Sequence, residues 1–125
     1  MSRQLQMKRI LVVDDDLAIL EALDITLRDS GYETETSTKN GDYVERSLRR
    51  QLPDLMVLDI LLSGHDGRAI CKNLKSREET RHIPIILISA HPNAEKTALE
   101  AGADDFLAKP FNIDDLLDRI ERLVG

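Results

Sequence analysis

The stretch "ILVVDDDLAIL", residues 10–20, decides the fold and raises the first chemical question. It places three consecutive carboxylates, Asp14, Asp15 and Asp16, between two aliphatic runs. Adjacent negative charges repel one another, so they require a cation, a helix N-terminus or open water to compensate them. The run before them is typical of a strand buried on both faces, and the leucine spacing after them indicates a helix. The acidic run therefore lies at a strand-to-helix turn.

The composition indicates a single domain and excludes several classes of protein. The chain has 125 residues, a formal net charge of −6 and one cysteine. These values argue against a nucleic-acid-binding surface and a disulfide framework, and they favour a cytoplasmic location with Cys71 in the core. No apolar run approaches the ~20 residues that span a bilayer, and the polar start does not indicate a signal peptide. We expect residues 1–7 to be frayed or disordered and residues 8–125 to form the domain.

Strand and helix patterns alternate along the chain. Apolar or β-rich segments predict strands at residues 9–13, 32–37, 54–58, 83–89 and 104–108. Helix-period patterns predict helices near residues 17–30, 40–50, 67–76, 93–101 and 113–124. The second strand has little to bury and is predicted at an edge, while Asp66 and Asn112 are predicted helix caps. Five strands alternating with five helices predict a doubly wound parallel α/β sheet with helices on both faces.

Polar residues follow the ends of the predicted strands. They are Asp14–Asp16, Asp59, Ser89 and Lys109. In such folds the ligand site lies at the carboxyl ends of the strands, so these side chains are expected on one rim. Clustered carboxylates suit a hard divalent ion such as Mg²⁺, and a lysine with a hydroxyl suits phosphoryl oxygens. Asp59 is the best candidate acceptor, because it stands alone after the most buried strand. Asp104 and Asp105 are expected to be solvated.

The chain resembles the response-regulator receiver domains of two-component signalling, from about Lys8 to its end. The resemblance rests on four motifs in order: "VVDDD" (12–16), "VLDILLSGHDG" (57–67), "ILISA" (86–90) and "GADDFLAKPF" (102–111). It implies a flavodoxin-like sheet with the strand order 2-1-3-4-5. It also implies a phosphoacceptor without a separate substrate, which catalyses its own phosphorylation and dephosphorylation.

The resemblance assigns a role to each residue of the rim. It implies that Asp59 accepts a phosphoryl group, with Ser89 and Lys109 contacting that group. The implied Mg²⁺ ligands are Asp14, Asp15, Asp59 and the backbone carbonyl of Leu61. Ser89 and Phe106 would form the switch, in which the Phe106 ring turns inward, and Leu61 and His91 would tune the phosphoryl lifetime. The Lys109–Pro110 peptide bond is usually cis in this family.

The resemblance also implies partners. The phosphoryl donor would be a histidine kinase or a histidine phosphotransfer protein, and the switched surface would be the fourth helix, fifth strand and fifth helix. This domain is not expected to bind nucleic acid or a membrane. Its oligomeric state is left open between a monomer and a phosphorylation-dependent dimer. The downstream target is unknown, and the chain is either a stand-alone regulator or one domain of a larger one. Leu62 and Ser63 stand where the family usually has a Met-Pro pair after Asp59, which predicts that Ser63-Gly64 is more mobile.

Three alternatives remain open on the sequence. A haloacid-dehalogenase-like phosphatase uses the same groups, but its acidic pair should follow the lysine, whereas Asp104 and Asp105 precede Lys109. A flavodoxin-like binding module lacks support, because no Gly- or Ser/Thr-rich phosphate loop follows the first strand. A degenerate receiver that only mediates protein contacts is disfavoured by the intact set of rim residues.

Overall fold

The computed structural model describes residues 7–38, 41–62 and 64–124. Within these ranges, five parallel strands form one sheet in the order β2-β1-β3-β4-β5. The strands are β1 (Arg9–Val13), β2 (Glu33–Ser37), β3 (Leu55–Asp59), β4 (Ile85–Ser89) and β5 (Asp105–Ala108). The helices that follow them are α1 (Leu17–Asp29), α2 (Gly41–Arg50), α3 (Gly67–Lys75), α4 (Glu95–Glu100) and α5 (Ile113–Val124). This arrangement confirms the predicted flavodoxin-like fold and strand order.

The predicted bounds differ from the observed ones by one or two residues. The fourth strand begins at Ile85 rather than at Ile83, because Pro84 has no backbone N–H to donate to the sheet. A 3₁₀ turn, Pro92–Ala94, precedes α4 and takes up the start of the predicted fourth helix. Of the predicted frayed terminus, residues 1–6 lie outside the described part. No helix in that part is long and apolar enough to cross a membrane.

The sheet has an apolar core on each face. Along β1 the side chains alternate, so that Ile10 and Val12 pack with α1 and α5, while Leu11 and Val13 pack with α2, α3 and α4. Strands β3 and β4 are buried along their whole length, as expected of central strands in a doubly wound sheet. Cys71 lies in the core as predicted, and burial raises the pKa of its thiol to about 11. The two cores hold the carboxyl edge of the sheet in place.

The edge strand β2 is attached by charged hydrogen bonds rather than by apolar burial. Glu35, in the middle of this strand, accepts hydrogen bonds from the side chains of Arg9, Tyr43, Ser47 and Arg50. Burial alone would raise the pKa of Glu35, but these partners outweigh it and hold that pKa below its ordinary value. A half-buried ionised carboxylate thus connects β2 to β1 and α2, which explains how a strand with little to bury keeps its place.

The backbone approaches itself closely where β3 leads into α3. The Gly67 N–H donates to the Ile60 carbonyl at 2.7 Å. A Cβ atom at Gly67 would lie 2.4 Å from the Asp59 carbonyl oxygen and 2.9 Å from Ile60 Cα. Both of these are backbone atoms, so a side chain here cannot be accommodated by a rotamer change. Gly67 therefore fixes the path of the chain directly after Asp59.

We predict that Gly67→Ala lowers the free energy of unfolding by about 3 kcal/mol, because the new methyl group displaces the backbone of Asp59 and Ile60. Gly31→Ala is the control: Gly31 has a φ of +93° but nothing within 4 Å of the added Cβ. That control should lose only about 1 kcal/mol, from left-handed strain. Urea unfolding measures both. Equal losses in the two variants would show that the close approach at Gly67 is relaxed.

Candidate functional site

The residues predicted at the strand ends meet at the carboxyl edge of the sheet. Asp59 and Ser89 are the last residues of β3 and β4, which pair in parallel. Asp14 and Lys109 come directly after β1 and β5. Since neighbouring strands run in the same direction, their carboxyl ends share one rim, as the sequence predicted.

Lys109 lies between two buried carboxylates. Its Nζ atom is 2.9 Å from Asp14 Oδ2 and donates a hydrogen bond of 3.1 Å to Asp59 Oδ2. The Asp14 side chain is fully buried and the Asp59 side chain is 9% exposed. Asp14 Oδ2 accepts no well-oriented hydrogen bond from the described residues, so its contact with Lys109 is an ion pair only. One ammonium faces two carboxylates, which leaves one negative charge uncompensated.

The pKa values at the rim follow from this crowding. Burial and the neighbouring Asp14 carboxylate raise the pKa of Asp59, although hydrogen bonds from Lys109 and from the Leu61 backbone oppose the shift. Burial lowers the pKa of Lys109, but its contacts with Asp14 and Asp59 outweigh burial and raise it. Lys109 is therefore a cation at neutral pH, and the ionised Asp59 is held at an electrostatic cost.

The three consecutive carboxylates have three different environments. Asp14 turns into the rim, where its Oδ1 atom accepts a hydrogen bond of 2.8 Å from the Asp16 N–H. Asp16 caps α1 by accepting hydrogen bonds from the N–H groups of Ala18 and Ile19 at 3.0 and 3.3 Å. Asp15 is exposed at the outer side of the rim. The acidic run is thus divided between an ion pair, a helix N-terminus and water.

A short hairpin follows Asp59. Leu61–Leu62 pairs antiparallel with His65–Asp66, and Asp59 Oδ1 accepts a hydrogen bond of 3.1 Å from the Leu61 N–H. The predicted loop mobility concerned Ser63 and Gly64. Ser63 lies outside the described residues, and Gly64 has a φ of +72° within the turn. Leu61 is 56% exposed beside the Asp59 carboxylate.

Ser89 lies on the strand next to Asp59. Its Oγ atom is buried and accepts a hydrogen bond of 3.0 Å from the His91 N–H, while the His91 side chain is exposed. The Lys109 N–H donates to the Ser89 carbonyl at 2.7 Å, and the Lys109–Pro110 bond is cis, as expected. Ser89 therefore belongs to the rim, but within the described ranges its hydroxyl makes no contact with the Asp59 carboxylate.

Phe106 and the acidic pair before it have packing partners that the sequence did not predict. The Phe106 ring is already inside, 6% exposed, in the core that α4 covers. Asp104 is exposed and also accepts hydrogen bonds of 2.8 Å from Lys75 Nζ and from the Ile85 N–H. Asp105 forms an ion pair with Arg119 of α5. The prediction that the pair is solvated is confirmed for Asp104, which is exposed, whereas Asp105 is only partly exposed; the pairing of both with distant basic residues was not predicted.

The implied metal ligands do not form a closed cage. Across the part of the chain that the structure describes, no three His, Cys, Asp or Glu side chains are grouped to hold a metal ion. Lys109 occupies the space between Asp14 and Asp59, and Asp15 points to the outside. Magnesium binds through one or two carboxylates with water and substrate phosphate, so it does not require such a cage. The ligand assignment stays a prediction.

Sequence reasoning did not find an apolar groove next to the rim. The groove lies between α1 and the segment after β5, and opens beside Asp16 and Lys109. Its apolar lining includes Ala18, Ile19, Ala22, Pro110, Phe111 and Ile113. The sequence gave a weak indication of the groove, because Ile19 and Ala22 are apolar but do not lie on the face of α1 that its buried leucines form. The pattern alone gave no reason to place them opposite Phe111.

Comparison with known proteins assigns the family. The sequence model described as "Response regulator receiver domain" matches residues 10–121. The chain belongs to the response regulator receiver domain family. It is 36% identical to the phosphate regulon transcriptional regulatory protein PhoB of Rhizobium meliloti, over 93% of this chain and 52% of that protein. The chain spans about half the length of the curated relatives it matches.

Solved receiver structures have the same fold. The signal receiver domain of a signal transduction histidine kinase from Syntrophus aciditrophicus matches with a TM-score of 0.85 and 37% identity, covering 94% of this chain and 89% of that one. The response regulator TrrA of Thermotoga maritima, in complex with Mg²⁺ and BeF, matches with a TM-score of 0.83 and 33% identity, covering 94% and 99%.

The comparisons and the structure do not favour the phosphatase alternative. Asp104 and Asp105 lie at the amino-terminal end of β5, at the edge of the sheet opposite Asp59, and are occupied by Lys75 and Arg119. A phosphatase of that type needs its second acidic pair at the reaction site. Receiver domains are phosphoacceptors rather than enzymes with a separate substrate, and the rim of this chain suits that role.

We predict that Asp59→Asn raises the free energy of unfolding at about pH 7 in buffer without divalent cations. The pKa of Asp59 in the folded chain lies above the unfolded value of about 3.9. The free energy of unfolding of the wild type therefore falls as the pH rises from the unfolded pKa through the folded one. Asparagine does not ionise, so the gain is on the order of 1 kcal/mol at neutral pH and vanishes below about pH 4. Urea unfolding across this range measures it. Asp118→Asn, on the exposed side of α5, is the control; a gain that persists in acid would contradict the prediction.

We also predict that Lys109→Met lowers the free energy of unfolding by about 2 kcal/mol at neutral pH, because two buried carboxylates lose their cation. The loss should shrink as pH falls and Asp59, whose pKa is raised, is protonated. It should also be smaller in the Asp14→Asn background. Lys96→Met, at an exposed position of α4, is the matched control. An equal loss from Lys109→Met with and without Asp14 would show that packing, not charge, is responsible.

Proposed function

We propose that Asp59 of this receiver accepts a phosphoryl group from a phosphohistidine donor. The observation that carries the proposal is the contact between Asp59 Oδ2 and the Lys109 ammonium, 3.1 Å apart, at a rim that keeps one uncompensated negative charge. Phosphoryl transfer is catalysed mainly by positioning and by neutralising charge on the transferred oxygens. A fixed carboxylate with an adjacent ammonium supplies both.

The reaction can be written in terms of this chain's own atoms. An Asp59 carboxylate oxygen forms a bond to phosphorus as the phosphorus–nitrogen bond of the donor imidazole breaks. The electron pair of that bond stays on the imidazole nitrogen, and Asp59 has no proton to lose because it reacts as the carboxylate. Lys109 stabilises the phosphoryl oxygens, and the Ser89 hydroxyl donates a hydrogen bond to them. Attack of water on the phosphoryl group later restores Asp59.

The oxygen ligands at the rim fit a magnesium ion. Asp14 is fully buried, yet its Oδ2 atom accepts no well-oriented hydrogen bond from the described residues, as expected of a ligand prepared for a cation. We propose that Asp14, Asp15, Asp59 and the Leu61 carbonyl hold Mg²⁺. When bound, the ion supplies positive charge next to the phosphoryl oxygens. Leu61 and His91, both exposed at the rim, would govern how water approaches the phosphoryl group.

Phosphorylation is proposed to act through α4, β5 and α5. The Phe106 ring is buried in the same core as Ala98 of α4, which is the inward packing that the proposal requires. A phosphoryl group that draws the Ser89 hydroxyl toward Asp59 would then raise the population of this packing rather than create it. We place the domain in the cytoplasm, as a monomer or a phosphorylation-dependent dimer, with a histidine kinase or phosphotransfer protein contacting the apolar groove beside Lys109.

We predict that acetyl phosphate adds one phosphoryl group to the wild-type chain in the presence of Mg²⁺ and none to Asp59→Asn. Lys109→Met should accept the group at least about a hundredfold more slowly, because the charge on the transferred oxygens is no longer neutralised. Intact-protein mass spectrometry over time measures the adduct, and EDTA in place of Mg²⁺ should suppress it.

The matched control is Asp118→Asn, which removes a carboxylate far from the rim and should be modified like the wild type. An adduct that survives Asp59→Asn would refute the assignment of the acceptor. Steady consumption of acetyl phosphate without any adduct would favour a phosphatase. Isothermal titration with Mg²⁺ alone tests the metal proposal separately, since Asp15→Asn should weaken binding without any phosphoryl donor being present.

A further inference from the structure

A side-chain bridge connects the start of α3 with α4. Arg68 is held by Asp66 through two hydrogen bonds, Nε to Oδ1 at 3.0 Å and Nη2 to Oδ2 at 2.8 Å. Its remaining nitrogen, Nη1, donates to Thr97 Oγ1 on α4 at 2.9 Å. The Thr97 hydroxyl in turn donates to the Ala94 carbonyl at 3.0 Å. All three guanidinium nitrogens are therefore used, and the bridge ends in the backbone that leads into α4.

The other end of the bridge reaches the Asp59 carboxylate. Asp66 caps α3 by accepting a hydrogen bond of 2.8 Å from the Arg68 N–H, and it pairs with Leu61 across the hairpin. The Leu61 N–H donates to Asp59 Oδ1. The hairpin is thus anchored on one side by the acceptor carboxylate and on the other by the guanidinium that binds α4. Gly67, where the chain passes against the Asp59 carbonyl, leaves this segment little room to move independently.

We infer that Arg68 is a positioning residue, which ties the hairpin that orients Asp59 to the position of α4. The inference rests on the proposed function, since it concerns the reactivity of Asp59. It defines a second connection between the rim and α4, through the surface and separate from Ser89 and Phe106. Arg68 touches neither the rim groups nor the phosphoryl group, so it acts only through Asp66 and Thr97.

The chemistry of the guanidinium suits this role. Its planar fork can bind the Asp66 carboxylate with two nitrogens and still direct the third at Thr97, whereas a lysine ammonium carries one compact charge and cannot span both partners. Binding energy is reciprocal: if the position of α4 affects the hairpin, the state of the hairpin must affect α4 by the same factor. A perturbation made at Thr97 should therefore be detectable at Leu61–Arg68.

The experiment perturbs α4 and measures the hairpin. Thr97→Val removes the acceptor from an exposed position while keeping the side-chain shape, and Arg68→Lys keeps the charge but not the fork. Amide hydrogen exchange is measured on the unmodified chain, without phosphoryl donor or metal. We expect exchange at residues 61–68 to become about three- to tenfold faster in both variants, the change expected from one lost hydrogen bond. Thr26→Val on α1 and Arg122→Lys on α5 are the matched controls.

A second measurement links the bridge to reactivity. Because the bridged hairpin keeps the Leu61 N–H on Asp59, both variants should be phosphorylated by acetyl phosphate about three- to tenfold more slowly, and the double variant no more slowly than Arg68→Lys alone. Faster exchange confined to α4, or unchanged phosphorylation rates, would overturn the inference. Failure of the wild type to form any adduct would instead refute the proposed function, while the exchange result would still test the bridge.

Discussion

The ion pairs of Lys109 with Asp14 and Asp59 are the constraint on which the rim depends. Two carboxylates buried at neighbouring strand ends would repel each other strongly if the ammonium were absent. The parallel sheet brings the three residues together although they lie far apart in the chain, because the carboxyl ends of its strands share one edge. The compensation is incomplete, since one cation faces two anions. That remaining negative charge is the physical basis of the proposal that the rim binds a further cation.

The rest of the fold keeps this costly arrangement in place. The central strands β3 and β4 are buried along their full length, and two apolar cores press on the sheet from both faces. Burial of each large aliphatic side chain contributes about 1.5–3 kcal/mol to the stability of the fold. The total stabilisation from the two cores is therefore larger than the electrostatic cost at the rim. Proteins commonly retain such locally unfavourable groups only where function requires them. The crowded rim is therefore better explained by chemistry than by stability.

Most of the fold was predictable because its signals are local. Apolar runs and helix-period leucines located the strands and helices, and Asp66 and Asn112 cap helices where the sequence indicated. The rim followed from topology, since residues after parallel strands must share an edge. Pairings between distant side chains could not be predicted. Asp104 binds Lys75, and Arg68 binds Thr97, and in each pair the two residues are 29 positions apart. No periodic pattern in the sequence links residues at that separation. Glu35 likewise holds β2 in place through side-chain partners from β1 and α2, which the low apolar content of this strand did not indicate.

Two connections between Asp59 and α4 have different physical consequences. The proposed one, through Ser89 and Phe106, would run through the core, where packing admits few intermediate arrangements. The one through Asp66, Arg68 and Thr97 lies at the surface, where hydrogen bonds exchange readily with water and each is worth less. The core connection is therefore suited to the main conformational change of the switch. The surface connection is suited to smaller changes in the reactivity of Asp59. A partner that binds α4 over Thr97 would break the surface bridge without disturbing Phe106. By reciprocity such a partner must change the reactivity of Asp59, so the target of the signal would also affect how readily the signal is received.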